Sequence, residues 1–283
     1  MKVKEIPVSI FHTIRLLSKK VEDFELTDRK EIPVIVSLTS IPSRLHTLHI
    51  VIRSLLDQEV LPKKILLWLN DSLKNEIPPQ LSKLLSDQFE IKYSSLTCSH
   101  RKLIHSLDLF GDEIIVTCDD DLIYRKNWLK LLYKEHLKYP DDVIANQTRY
   151  IRVDSEGGVL PYKQWTYPDK GILNPKAIIP IGAGGVLYPP KSLAKETTNE
   201  HLFLKLTPKA DDLWFKAMST KHGTISREAS RKSDYPIPII GSQKESLKKT
   251  NIDKDKNRIQ WIAVSEYFNI TLDDDVVITN SKT

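Results

Sequence analysis

One stretch limits the folds open to this chain more than any other: a β-branched run that ends in three carboxylates, Ile114-Ile115-Val116-Thr117-Cys118-Asp119-Asp120-Asp121-Leu122-Ile123-Tyr124. Its apolar part suits a strand buried on both faces of a parallel sheet. Three carboxylates at the end of such a strand cannot sit in an apolar core without a cationic partner. A hard divalent ion such as Mg2+ or Mn2+ takes oxygen ligands and can bridge to phosphates, so it suits this place. The carboxyl edge of an open α/β sheet is also where ligands bind. A solvated acidic turn is the plainer reading of the same residues. A second triplet, Asp273-Asp274-Asp275, offers an internal comparison. It has almost no chain after it and reads as a solvated turn before a short edge strand, Val276 to Ile278.

Apolar runs alternate with helical patterns on either side of the central strand. Strands are expected over Ile32 to Leu38, Ile65 to Leu69, Glu90 to Tyr93 and Glu113 to Cys118. Helices are expected over Leu45 to Leu56, Pro78 to Leu85, Lys102 to Phe110 and Asn127 to Tyr139. Such alternation means crossover connections and a mostly parallel sheet covered on both faces. Val143 to Asn146 reads as one more strand, after which the alternation fades. Residues 150 to 180 carry Gly157-Gly158, Pro161, Pro168, Gly171 and Pro175 and read as a long loop region of functional type.

The first 30 residues place Val8, Phe11, Ile14, Leu17, Val21 and Phe24 at helical spacing. Lys2, Lys4, Arg15, Lys19 and Lys20 against Glu5 make the opening part basic. The stripe is expected to pack on its own protein or a partner subunit, in a homodimer for instance; peripheral contact with an anionic membrane is the other reading. No apolar stretch approaches the roughly 20 residues that span a bilayer, and the start has no secretory pattern. A cytoplasmic protein, at most peripheral on the membrane's cytoplasmic face, is expected. Cys98 and Cys118 are too few for a disulfide framework. At 283 residues, 40% apolar and 28% charged, one sizeable soluble domain is expected. The net charge of +5 is spread widely and gives no reason to expect nucleic acid.

Two later stretches carry chemistry. Gly182-Ala183-Gly184-Gly185 enters the apolar Val186-Leu187-Tyr188, and closely spaced glycines let backbone approach a ligand. Lys209-Ala210-Asp211-Asp212-Leu213-Trp214-Phe215 opens a helix expected to end near Lys221, before His222-Gly223. Asp211 suits its N-cap. Asp212, near Trp214, would then be a partly dry carboxylate able to act as a base, or simply a second acid favoured by the helix dipole. Pro236 to Ile240 is a strand candidate, Gly241 to Arg258 a basic mobile stretch, and Ile259 to Phe268 a last helix.

Together these motifs resemble the GT-A glycosyltransferases, more closely the family-2-like bacterial enzymes of capsule and lipopolysaccharide synthesis. The residues that carry the likeness are Val36 to Arg44, Arg101-Lys102-Leu103-Ile104, Ile115 to Asp121, Gly184 to Pro190 and Lys209 to Phe215. The resemblance implies an α/β fold, a single GT-A (Rossmann-like) domain with a mostly parallel central sheet flanked by helices. An N-terminal amphipathic helix (1–30) and a C-terminal helical extension (241–283) would flank a nucleotide-sugar-binding half (31–146) and an acceptor-binding, catalytic half (147–240). It implies Asp121 and Asp119 as metal ligands for Mn2+ or Mg2+. Thr39, Ser40, Arg44, Lys102, Asp119 and Asp120 would contact the nucleotide sugar, a UDP-sugar foremost. Asp212 would be the base of an inverting transfer, with Asp211 as the other candidate because the family's Glu-Asp pair is Asp-Asp here. Gly184, Gly185 and Trp214 would line the glycan or glycolipid acceptor. His222 resembles the metal-ligating histidine of some members and equally fits a helix end. Two other readings stay open: a nucleotidyltransferase that makes sugar nucleotides, although Thr39 to Arg44 has no glycine, and a non-catalytic ion-binding scaffold.

Overall fold

The computed structural model describes residues 5–25, 28–167, 172–242, 254–272 and 278–279. The acidic triplet at 273–275 and most of the basic stretch expected over 241–258 lie outside them. The chain divides into two compact units, Met1–Lys134 with Lys232–Glu245, and Glu135–Arg231 with Ser246–Thr283. Both are α/β; strand pairing is mostly parallel in the first, as the alternating pattern predicts, and mostly antiparallel in the second, where that alternation fades.

The first unit is built on four parallel strands, β1 (Glu31–Thr39), β2 (Leu61–Asn70), β3 (Phe89–Ser94) and β4 (Ile114–Thr117). They stand in the order β4-β1-β2-β3. Val34, Ile35, Val36, Leu38, Ile65, Leu66, Leu67, Ile115 and Val116 are fully buried, which is why these runs show no polar alternation. Helices α2 (Leu45–Leu56), α3 (Arg101–Phe110) and α4 (Trp128–His136) follow β1, β3 and the acidic triplet. A two-residue strand β5 (Leu122–Ile123) pairs antiparallel with Ile237–Pro238, so the chain returns to this unit late.

Helix α1 (Ile6–Leu17) departs from expectation. Of the stripe expected to pack, Val8, Phe11, Ile14 and Leu17 are exposed, Val21 is half-buried and Phe24 is buried, while within the helix Ser9 and Leu16 are buried. Polar contacts seat its inner face: Ser9 Oγ donates to the Pro238 carbonyl at 2.7 Å, and Arg15 meets the Asp57 carboxylate at 2.5 Å.

In the second unit β6 (Val143–Ala145) pairs parallel with β10 (Ser226–Glu228) and antiparallel with β9 (Val186–Tyr188). Strands β7 (Thr148–Tyr150) and β8 (Ile178–Pro180) form a separate antiparallel pair. Ile278–Thr279 pairs with Ile172–Leu173, so the last expected strand forms one residue beyond its expected end. Helices α5 (Glu200–Leu206), α6 (Asp211–His222) and α7 (Lys256–Tyr267) complete the unit. Gly223 ends α6 at φ +86, a left-handed cap that glycine adopts without a Cβ penalty.

Candidate active site

Strands β1 and β4 run side by side, Ser37 against Thr117, so the loop after Thr39 and the triplet after Cys118 emerge at one sheet edge. The candidate nucleotide residues of this unit meet there. Ser40 Oγ donates to Asp120 Oδ2 at 2.5 Å, and Arg44 Nη1 donates to Asp120 Oδ1. The same guanidinium reaches Asp121 Oδ2 at 3.2 Å. Lys102 Nζ lies 3.1 Å from Asp119 Oδ1. The triplet therefore has cationic neighbours from this chain, and Arg44 and Lys102, read from the sequence as nucleotide contacts, are held on its carboxylates.

The acidic turn is fixed through its backbone as well. The Asp119 N–H donates to Tyr124 Oη at 2.8 Å. The Asp121 carbonyl accepts from the Ile239 N–H at 3.0 Å and from Ser242 Oγ at 3.3 Å, and Arg44 Nε donates to the Ser242 carbonyl at 3.1 Å. Arg101 is 2% exposed and spends its guanidinium on the loop after β1. It donates to Thr39 Oγ1, to the Ser40 carbonyl and, at 2.6 Å, to the Leu96 carbonyl. Thr39 Oγ1 in turn donates to the Trp68 carbonyl at 2.8 Å. Arg101 belongs to a motif the sequence singles out but gives no role to. Ser242 carries no local signal, because only the late return of the chain brings it here.

Electrostatics sorts the three aspartates. Burial pushes the Asp120 carboxyl up, against the pull of Arg44 and the Ser40 hydroxyl. Burial, then the Asp119 charge, pushes Asp121 up to about 7, with Arg44 only partly offsetting them. Burial opposes the charge on Arg44, yet Asp120 and Asp121 hold its pKa above the ordinary value. The charge on Asp121 is thus only partly compensated by its surroundings. Asp119 and Asp121 are the two that could hold a divalent ion. Among the described residues no three His, Cys, Asp or Glu side chains form a ready-made metal cluster.

The second unit brings Asp212 to the glycine turn. The Gly182 N–H donates to both Asp212 carboxylate oxygens, at 3.1 and 3.2 Å. Gly185 takes φ +90 as the chain enters β9. A Cβ on Gly184 would come within 2.7–3.0 Å of the Gln147 side chain, and the Gly184 carbonyl accepts from Asn146 Nδ2 at 3.2 Å. Tyr162 lies close enough to Asp212 for the carboxylate, after burial, to raise its phenol pKa.

Two expectations about this stretch change. Ala210 is the N-cap of α6 and makes no side-chain capping bond, so Asp211 is the first helical residue instead of the cap. Asp211 is buried while Asp212 is partly exposed. Trp214, expected at the acceptor, is fully buried. Its indole N–H donates to the Thr197 carbonyl at 2.9 Å, and its ring packs against Phe203 and Phe268. It fills the core of the second unit because α6 is buried on nearly every side from Leu213 to Ser219. His222 is exposed at the other end of this helix, about 16 Å from Asp211 by the helical rise.

The fold and the acid-tipped strand define an α/β protein with a cluster of charged and polar side chains at one sheet edge. The glycosyl transferase family 2 model matches residues 41–187, just over half of the 283-residue chain, and the protein belongs to that family. The matched span holds Arg44, Lys102, the acidic triplet and the glycine turn. No curated relative matches the sequence. A solved structure, 4-diphosphocytidyl-2C-methyl-D-erythritolsynthase from Anaerococcus prevotii, is similar over 86% of this chain and 100% of that one, at 12% identity and a TM-score of 0.43. Among the described residues no helix is long and apolar enough to cross a membrane.

Proposed function

We propose that this family 2 glycosyltransferase moves a hexosyl group from a nucleotide-diphosphate sugar, a UDP-sugar foremost, to a hydroxyl of a glycan or glycolipid, with inversion at the anomeric carbon. The observation that carries the reading is the acidic triplet at the β4 edge, gathered with Arg44 and Lys102, in which Arg44 at 3.2 Å only partly offsets the charge on Asp121. A buried carboxylate this poorly compensated stands to gain from added positive charge. Asp121 and Asp119 would hold Mn2+ or Mg2+, with phosphate oxygens and water completing its shell. Once bound, such an ion supplies Lewis acidity that stabilises negative charge on the leaving diphosphate.

The chain's own groups divide the remaining work. Thr39 and Ser40, fastened by Arg101, present the loop after β1 to the nucleotide. Lys102 and Arg44 offer N–H donors to phosphate oxygens, a charge-assisted interaction stronger than a neutral hydrogen bond. Asp212 accepts the acceptor hydroxyl's proton while that oxygen bonds to the anomeric carbon and the carbon–diphosphate bond breaks. The Gly182 N–H, bonded to both of its oxygens, fixes the orientation of that carboxylate.

A thermal-shift screen of UDP-, GDP-, dTDP- and CMP-sugars with and without Mn2+ tests the reading, because a ligand that binds only the folded state raises stability by mass action. One sugar nucleotide should raise the melting temperature, and more so with Mn2+. A flat response to all four in both conditions would overturn the donor assignment.

A further inference from the structure

Helix α1 buries one apolar side chain, Leu16, and seats the rest of its inner face through polar contacts: buried Ser9 bonds to the Pro238 carbonyl, His12 Nε2 lies 3.2 Å from Arg125 Nη1, and Arg15 binds Asp57. Arg53 closes the helix by donating to the Leu16 and Lys19 carbonyls at 3.1 and 2.9 Å. Its outer face is apolar, with Phe11 63% and Ile14 62% exposed and Ile10 and Leu17 exposed beside them. A helix that only packed on its own domain would turn these side chains inward. An apolar patch on one face, rimmed by polar residues, marks an interaction surface.

The charge around this face selects the partner. At the C-terminal end of α1 the buried Asp57 carboxylate is met by Arg15 and Lys19, each at 2.5 Å, and by Lys126 at 3.8 Å. Arg29 lies close enough to Asp57 for the two charges to interact. Lys19, Arg29 and Lys126 line a cavity of about 490 Å³, together with Asp23 and an ion pair between Lys130 and Glu59. Cations outnumber carboxylates here, and exposed Lys20 adds one more beside Leu17. Two copies meeting through this face would bring like charges together, whereas anionic lipid would neutralise them.

We infer that the outer face of α1 and the basic end beside it dock on an anionic membrane surface. Phe11, Ile14 and Leu17 enter the boundary between headgroups and acyl chains, and the cations around Asp57 lie against lipid phosphates, the arrangement of an interfacial amphipathic helix. The inference rests on the surface of the first unit and stands whether or not the donor assignment holds.

Flotation of the full-length protein with vesicles tests it, using phosphatidylcholine alone and phosphatidylcholine mixed with phosphatidylglycerol. The protein should float with the mixed vesicles and stay behind with the neutral ones. Raising salt to about 1 M, where charges are screened beyond roughly 3 Å, should release it. Phe11→Ser with Ile14→Ser should weaken binding roughly tenfold or more, since two large apolar side chains no longer leave water. Lys20→Glu with Lys126→Glu should also weaken it, without touching the apolar face. Sugar-nucleotide binding should not change in either double variant, and the melting temperature should not change in the Phe11→Ser, Ile14→Ser pair. No binding to the mixed vesicles, or binding that both variants retain, overturns the proposal. So does a wild-type dimer that ignores vesicles and that the Phe11→Ser, Ile14→Ser pair converts to monomer.

Discussion

Replacing Asp121 by Asn should stabilise the unliganded protein, increasingly as pH rises above about 4. Burial and the Asp119 charge raise the Asp121 carboxyl from 3.8 to about 7. In the unfolded chain it ionises at its ordinary pKa. Between these two values the unfolded state gives up its proton while the folded state keeps it. The stability of the wild type attributable to this group is therefore fully present below about pH 4, is lost as pH rises towards 7, and stays lost above that. At about 1.4 kcal/mol for each tenfold change in proton affinity, the full difference is about 4 kcal/mol. Relaxation and water entering the site reduce it, so about 2–4 kcal/mol is expected. Asparagine keeps the shape and lacks the charge, and Arg44 keeps its pairing with Asp120. Urea unfolding of both proteins at pH 4, 6 and 8 should show near-equal stability at the lowest pH and a widening advantage for Asp121→Asn above it. The wild type, and not the variant, should be stabilised by Mn2+ at pH 8. A variant less stable than wild type by the same amount at every pH would refute the electrostatic reasoning.

Lys216 offers an independent check in the second unit. It is fully buried, its ammonium donates to the Pro175 carbonyl at 2.7 Å and to Ser226 Oγ at 3.1 Å, and burial lowers its pKa to about 7. Stability is lost as pH falls from about 10.5 to 7, so Lys216→Met should gain about 1–3 kcal/mol on the wild type at pH 7, less the two hydrogen bonds, and lose that gain near pH 10; a pH-independent difference in urea unfolding would contradict this. Arg101→Lys cannot reach Thr39, Ser40 and Leu96 at once, so it should cost about 2–4 kcal/mol and raise the KM for donor; a change within about 0.5 kcal/mol would show that the loop after β1 holds itself. Asp212→Asn should fold and bind donor as before while turnover falls roughly 10²–10⁴-fold, and normal turnover in steady-state assays would remove Asp212 as the base.

The first unit was legible because its elements are long and periodic. Helix α2 spans Leu45–Leu56 as its apolar spacing indicates, and β1 to β4 follow the buried β-branched runs to within a few residues. The acidic triplet was legible for a chemical reason, since three carboxylates cannot follow a buried strand unmatched. Its cations were not, because Arg44 and Lys102 reach it from other elements. α1 misled because periodicity shows that a helix has an apolar face and says nothing of which way that face turns. Trp214 misled because a helix buried all round gives an aromatic beside a carboxylate no preferred side. Gly182 on Asp212 and Ser242 on Asp121 are contacts between distant parts of the chain. α5, with seven residues, is too short to leave a periodic signature.

The most direct test follows the phosphorus by ³¹P NMR while the protein, with Mn2+, is given the sugar nucleotide that stabilises it together with a glycan acceptor. Appearance of the free nucleotide leaving group at the rate of sugar transfer, with the product's anomeric configuration opposite to the donor's by ¹H NMR, is the expected result. Pyrophosphate formed from a nucleoside triphosphate and a sugar phosphate, with no transfer from the finished sugar nucleotide, would contradict it.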